Sequence, residues 1–137
     1  MLLAIDVGNT SITFAAYSGE TLQADWRIAT DSRRTGDEYA ALLLMLFGEK
    51  GFAFADVDGA VISSVVPATI DALVGFARKH LNVADPLVLS SDLDLGITID
   101  YHPPGDVGAD RLANAVAARA KYGGKVIVVD FGTATTL

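Results

Sequence analysis

Leu2-Leu3-Ala4-Ile5-Asp6-Val7-Gly8-Asn9-Thr10 is an apolar run that ends in a carboxylate and breaks at a glycine. The β-prone Ser11 to Tyr17 follows directly, so the pair reads as a β-hairpin with its polar groups gathered at the turn. Such a turn can hold a phosphate: Gly8 permits close backbone approach, Asn9 tolerates a left-handed conformation, and successive amides can then point into one concavity. Asp6 would supply charge for a metal ion that bridges phosphates. Equally, Asn and Gly are ordinary turn residues, and Asp there can serve only an Asx turn. What adds weight is a second copy of the design near the other end. Val126-Ile127-Val128-Val129 runs into Asp130-Phe131-Gly132-Thr133, with hydroxyls after it.

The bulk numbers limit the alternatives. A chain of 137 residues that is 51% hydrophobic, with mean hydropathy +0.39, can bury a sizeable core. Its densest apolar stretch, Ala40 to Phe47, ends at Gly48-Glu49-Lys50, well short of the ~20 residues of a membrane span. The N-terminus meets Asp6 at once and does not look like a secretory signal. With no cysteine there are no disulfides or thiolate metal sites, which suits a cytoplasmic enzyme. A net charge of −7 argues against a nucleic-acid surface.

Along the chain, Thr21 to Thr30 continues the hairpin into a three-strand meander, with Leu22, Ala24, Trp26 and Ile28 expected on one face. Thr35-Gly36-Asp37-Glu38 has capping-box spacing and starts a helix whose expected stripe is Tyr39, Leu42, Leu43 and Leu46, ending by Gly48 to Gly51. Asp58 to Val66 is a buried strand running to Pro67, which opens a second helix with Ile70, Leu73, Val74, Ala77 and Leu81 in period. His80, near its end, is expected to meet the carbonyl end of the helix rather than a metal. Leu87 to Leu89 and Ile97 to Ile99 read as short extended pieces. Asp106 is a candidate N-cap for an alanine-rich helix from about Val107 to Tyr122, whose apolar side carries Leu112, Ala113, Val116, Ala117 and Ala120. Gly123-Gly124 stops it before a last strand, Lys125 to Asp130.

The expected fold is therefore α/β, a mixed sheet of a three-strand antiparallel meander plus parallel strands with flanking helices, resembling a ribonuclease-H-like domain. Residues 1–122 would form that domain and 123–137 the opening strand and phosphate turn of a second. Two facing phosphate-gripping hairpins resemble the ATP cleft of the actin, Hsp70 and sugar-kinase superfamily, and this would be the first domain of such an actin-like ATPase fold. Because an apolar strand near Leu137 lacks a downstream partner, the chain is expected to be the front part of a longer protein, with weak or no turnover by itself.

Asp-Val-Gly-Asn-Thr at 6–10, Ser-Ser-Val-Val-Pro at 63–67, Gly-Ala-Asp-Arg at 108–111 and Asp-Phe-Gly-Thr-Ala-Thr-Thr at 130–136 resemble, in order and spacing, the type III pantothenate kinase family. That resemblance implies ATP-dependent phosphorylation of pantothenate, the first step to coenzyme A, with Mg²⁺ and a monovalent cation, K⁺ or NH₄⁺, in a homodimer. It implies that Asp6, Val7, Gly8, Asn9, Thr10, Ser11, Ile12 and Thr13 form a nucleotide-phosphate loop, with Asp6 linked to Mg²⁺, and that Gly132 and Thr133 also touch ATP. Asp110 would be the general base. Tyr101, Gly108, Ala109, Asp110 and Arg111 would hold pantothenate, with Arg111 on its carboxylate, and Asp130 would bind the monovalent cation. The chemistry is consistent: phosphoryl transfer depends on positioning and charge neutralisation, and Arg suits two-pronged carboxylate binding.

Three other readings stay open. One is a non-catalytic transcription accessory factor of the same fold, against which the acidity and the intact Asp6, Asp110, Arg111 and Asp130 argue. Another is a different small-molecule kinase of the superfamily, against which the 108–111 motif argues. The third is a structural fragment that dimerises through its alanine-rich helix.

Overall fold

A computed structural model describes residues 1–131 and 135–136, in two compact units, Met1–Val88 and Leu89–Leu137. The first unit is built on a five-strand mixed sheet. Strands β1 (Leu2–Val7), β2 (Ser11–Ser18) and β3 (Thr21–Ala29) form the expected antiparallel meander, and β4 (Gly59–Ser64) and β5 (Leu87–Val88) add on in parallel. The spatial order is β3-β2-β1-β4-β5. This is the mixed α/β architecture expected from the sequence, consistent with the first domain of an actin-like ATPase.

Alternation decides which sheet face is covered. Leu3, Ile5 and Val7 of β1, Ile12, Phe14 and Ala16 of β2, and Ala60 and Ile62 of β4 are buried on one face. Helices α1 (Gly36–Glu49) and α2 (Ile70–His80) bring Tyr39, Leu43, Phe47, Leu73, Phe76 and Ala77 into that same core cluster. Trp26 stacks on Phe47 at 4.7 Å between ring centroids, with Phe52 and Phe54 edge-on to Phe47. Truncating a ring so placed costs roughly 3–5 kcal/mol. Gly36 is required where the two helices meet, because a Cβ there would come within 2.9 Å of the Ala72 carbonyl oxygen.

Four details depart from the sequence reading. In β3, Ala24 pairs with Ala16 but Leu22 pairs with Tyr17, so the irregularity at Gln23 turns Leu22 to the other face, where it is exposed. In α1, Phe47 replaces Leu42 in the buried stripe. In α2, Phe76 joins the core. The run Lys125 to Asp130 is not a continuous strand: β6 covers only Asp130–Phe131 and pairs with β7 (Thr135–Thr136), while Ile127 and Phe131 stay more than four-fifths exposed. No strand among the described residues pairs with 125–129.

In the second unit, helix α3 (Ala109–Tyr122) starts two residues later than expected. Asp106 instead closes a 3₁₀ turn, Pro104–Asp106, and the N-cap is Gly108, with no side-chain cap. Only Ala109 and Leu112 of α3 are buried; Ala117 and Ala120 are exposed. Ile97 to Ile99 is not a strand. Among the described residues no helix is long and apolar enough to cross a membrane.

Candidate functional site

Two separate places carry the residues singled out above, one in each unit. The first is the β1–β2 turn. Gly8 N–H donates to the Ser11 carbonyl at 2.9 Å, leaving Asn9 and Thr10 exposed at the tip. Neither Gly8 nor Asn9 is left-handed; among the described non-glycine residues only Asn82 has a positive φ, 57°. The concavity expected from a left-handed Asn9 is therefore not how this turn is made. A Cβ on residue 8 would lie 3.3 Å from the Ser11 oxygen, a tight contact that glycine avoids.

Thr30, just beyond β3, holds the turn from outside. Its Oγ1 donates to the Gly8 carbonyl at 2.7 Å and its N–H to the Thr10 carbonyl at 3.0 Å. Sequence reading passed over Thr30, because the residue is near the turn only once three strands have formed. Asp6 lies one step inside the turn, in register with Thr13 of β2 and Ser63 of β4. Those three side chains share the sheet face opposite the helices, since cross-strand partners point the same way. Asp6 is exposed, Thr13 half-buried and Ser63 buried. Val7 and Ile12 point into the core, so of the loop residues they shape the turn rather than line it.

The second place is a cavity of about 310 Å³ within the second unit. Tyr101, Arg111 and Asp130 line it, with Ile97, Ile99 and Val107 among its apolar walls. Residues drawn from three stretches of the sequence are thus brought together. Two further polar residues, Thr98 and Asn114, line the same space. The Asn114 side-chain N–H donates to Asp130 Oδ2 at 3.1 Å, tying α3 to the acid that opens β6. A sequence signal for Asn114 did exist: it lies one helical turn from Asp110 and Arg111.

Gly108 and Ala109 do not line this cavity; they start α3, with the Gly108 carbonyl accepting from the N–H groups of Arg111 and Leu112. Asp110 is half-buried in that first turn, and its Oδ1 accepts the Arg111 backbone N–H at 2.8 Å. The carboxylate is thereby oriented by the helix start, where the dipole favours negative charge. Gly132 and Thr133 lie outside the described residues. His80 belongs to neither place: its Nε2 is 2.7 Å from Asp37 Oδ1, beside Lys79 Nζ at 2.8 Å from the same oxygen, so the end of α2 meets the start of α1.

Chemically, the cavity can take a small molecule with an apolar middle and an anionic end facing Arg111. The turn offers a carboxylate, hydroxyls and backbone amides at a strand end. Comparison with known proteins gives the family. A sequence model described as type III pantothenate kinase matches residues 2–137. Proteins of that name from Acidiphilium cryptum, Paramagnetospirillum magneticum and Phenylobacterium zucineum are 48%, 50% and 50% identical over 99% of this chain. The match covers 51%, 52% and 52% of those proteins, so the chain spans about half the length of the curated relatives it matches. A match along nearly its whole length means that the chain belongs to the type III pantothenate kinase family.

Proposed function

We propose that this chain carries the phosphate loop and the substrate-binding residues of an ATP-dependent kinase that converts pantothenate to 4′-phosphopantothenate, the first step of coenzyme A synthesis. The observation that carries the reading is the cavity lined by Tyr101, Arg111 and Asp130. Pantothenate has a carboxylate at one end and a branched aliphatic alcohol at the other, and the mixture of Arg111 with Ile97, Ile99 and Val107 suits both. Arg111 pairs with the carboxylate and Tyr101 lies along the rest, while Gly108 and Ala109, outside the cavity, start the helix that carries Asp110 and Arg111.

Asp110 then takes the proton from the pantothenate hydroxyl as its oxygen bonds to the γ-phosphorus and the bond to the ADP oxygen breaks. Asp6 to Thr13 hold the nucleotide phosphates. Asp6 suits Mg²⁺, which is commonly held by one or two carboxylates plus phosphate oxygens. Mg²⁺ when bound neutralises phosphate charge. Asp130, with one oxygen engaged by Asn114, suits a monovalent cation, K⁺ or NH₄⁺. The reading extends to a cytoplasmic homodimer and to a division into domains at 122/123.

The test is pantothenate-dependent ATP consumption by the complete protein that carries this sequence. Asp110→Asn is expected to lower kcat by about 100-fold or more. ATP consumption indifferent to pantothenate would overturn the assignment.

A further inference from the structure

Among the described residues, three buried side-chain polar atoms have no hydrogen-bond partner: Trp26 Nε1, Tyr39 Oη and Ser63 Oγ. The first two sit on large rings that pack in the helix-covered core, Trp26 stacked on Phe47 and Tyr39 tilted against Phe14, so each residue contributes apolar bulk there. Ser63 has no such bulk to contribute. Its side chain is 8% exposed, and alanine would fill the same space without stranding a hydroxyl. The neighbouring serine makes the contrast sharp. Ser64 Oγ donates to the Val66 carbonyl at 3.0 Å, accepts the Val66 N–H at 3.0 Å and meets Thr69 Oγ1 at 3.2 Å. Ser64 therefore builds the exit from β4, and Ser63 takes no part in it.

Position explains what Ser63 is kept for. It stands opposite Asp6 in the parallel β1–β4 pair, on the same face and at adjacent-strand spacing of about 4.8 Å, while Thr13 flanks Asp6 from β2. A donor hydroxyl on each side of a carboxylate, at the strand ends beside the turn, suits an anion held there through a cation. We propose that Ser63 is a further nucleotide-phosphate ligand, its hydroxyl donating to a phosphoryl oxygen beside Asp6. This rests on the kinase reading of the Asp6 to Thr13 turn.

The experiment compares wild type, Ser63→Ala and Ser63→Cys in the complete protein. Three quantities are measured: the melting temperature without ligand, the Kd for Mg²⁺ with a non-hydrolysable ATP analogue by calorimetry, and the KM for pantothenate. Removing an unpartnered hydroxyl should leave the melting temperature unchanged or raise it, whereas affinity for the analogue should fall about tenfold, the size of a lost bond to a charged acceptor. The pantothenate KM should stay put, and Ser63→Cys, with a weaker donor of similar size, should fall between. Unchanged analogue affinity in Ser63→Ala overturns the proposal, and a lower melting temperature with that affinity intact identifies a structural hydroxyl instead. Wild type that binds no analogue overturns the kinase reading of the turn along with it.

Discussion

At the residue scale, single hydrogen bonds from outside a motif set the motif's shape. The Thr30 hydroxyl reaches the Gly8 carbonyl at 2.7 Å in a part-buried setting. Thr30→Val keeps the volume and strands that carbonyl, so it should destabilise the fold by about 1 kcal/mol in a denaturant titration. A threonine at a strand end looks like any other in the sequence, and only the three-strand register gives it a task. Asn114 is a similar case: its helical spacing from Arg111 was readable, but its bond to Asp130 depends on where the chain goes after Gly123-Gly124. Asp110, Arg111 and Asp130 drew notice because they stand in short contiguous motifs, and of these Arg111 and Asp130 line one cavity, with Tyr101 beside them.

At the element scale, the start of α1 was fully readable. Thr35 Oγ1 accepts the Glu38 N–H, and the Glu38 carboxylate accepts the Thr35 N–H at 2.7 Å, the reciprocal pair that the spacing announces. That same turn carries charge dependence. Hydrogen bonds from Lys79 first, then His80, hold the Asp37 carboxyl below its ordinary value of 3.8, and the Thr35 backbone N–H holds Glu38 below 4.5. Carboxyls depressed in the folded state stabilise it above their unfolded values, and that contribution disappears as pH falls through the folded ones. The melting temperature should therefore drop below about pH 5, and Asp37→Asn should flatten part of that drop. Both groups are exposed, so added salt should weaken the effect. What the pattern did not give was the exact stripe of α1 or the turn of Leu22 to the other face. Periodicity ranks Leu42 and Phe47 alike, and an irregularity at Gln23 leaves alternation unbroken to the eye.

At the scale of the whole molecule, the mixed sheet of an antiparallel meander plus parallel strands was legible from the order of elements, whereas the spatial order β3-β2-β1-β4-β5 came only with the structure. The stretch 125–129 was read as a strand from composition, yet a strand also needs a neighbour, and none of the described residues provides one. Val126, Ile127 and Val129 are consequently exposed, Ile127 to 84%, and Phe131 just beyond, in β6, to 82%. Exposed apolar runs of this kind associate. Sedimentation of the 137-residue chain should show concentration-dependent self-association that Ile127→Lys reduces. The turn at Gly8 to Ser11 is the opposite case. Anchored by a third strand, its backbone has little freedom left to surrender when an anion arrives, so capture there draws on almost none of the ordering entropy that a slack loop would lose. On the kinase reading proposed above, drift in β3, remote in sequence, would be felt as a change in nucleotide affinity rather than in turnover.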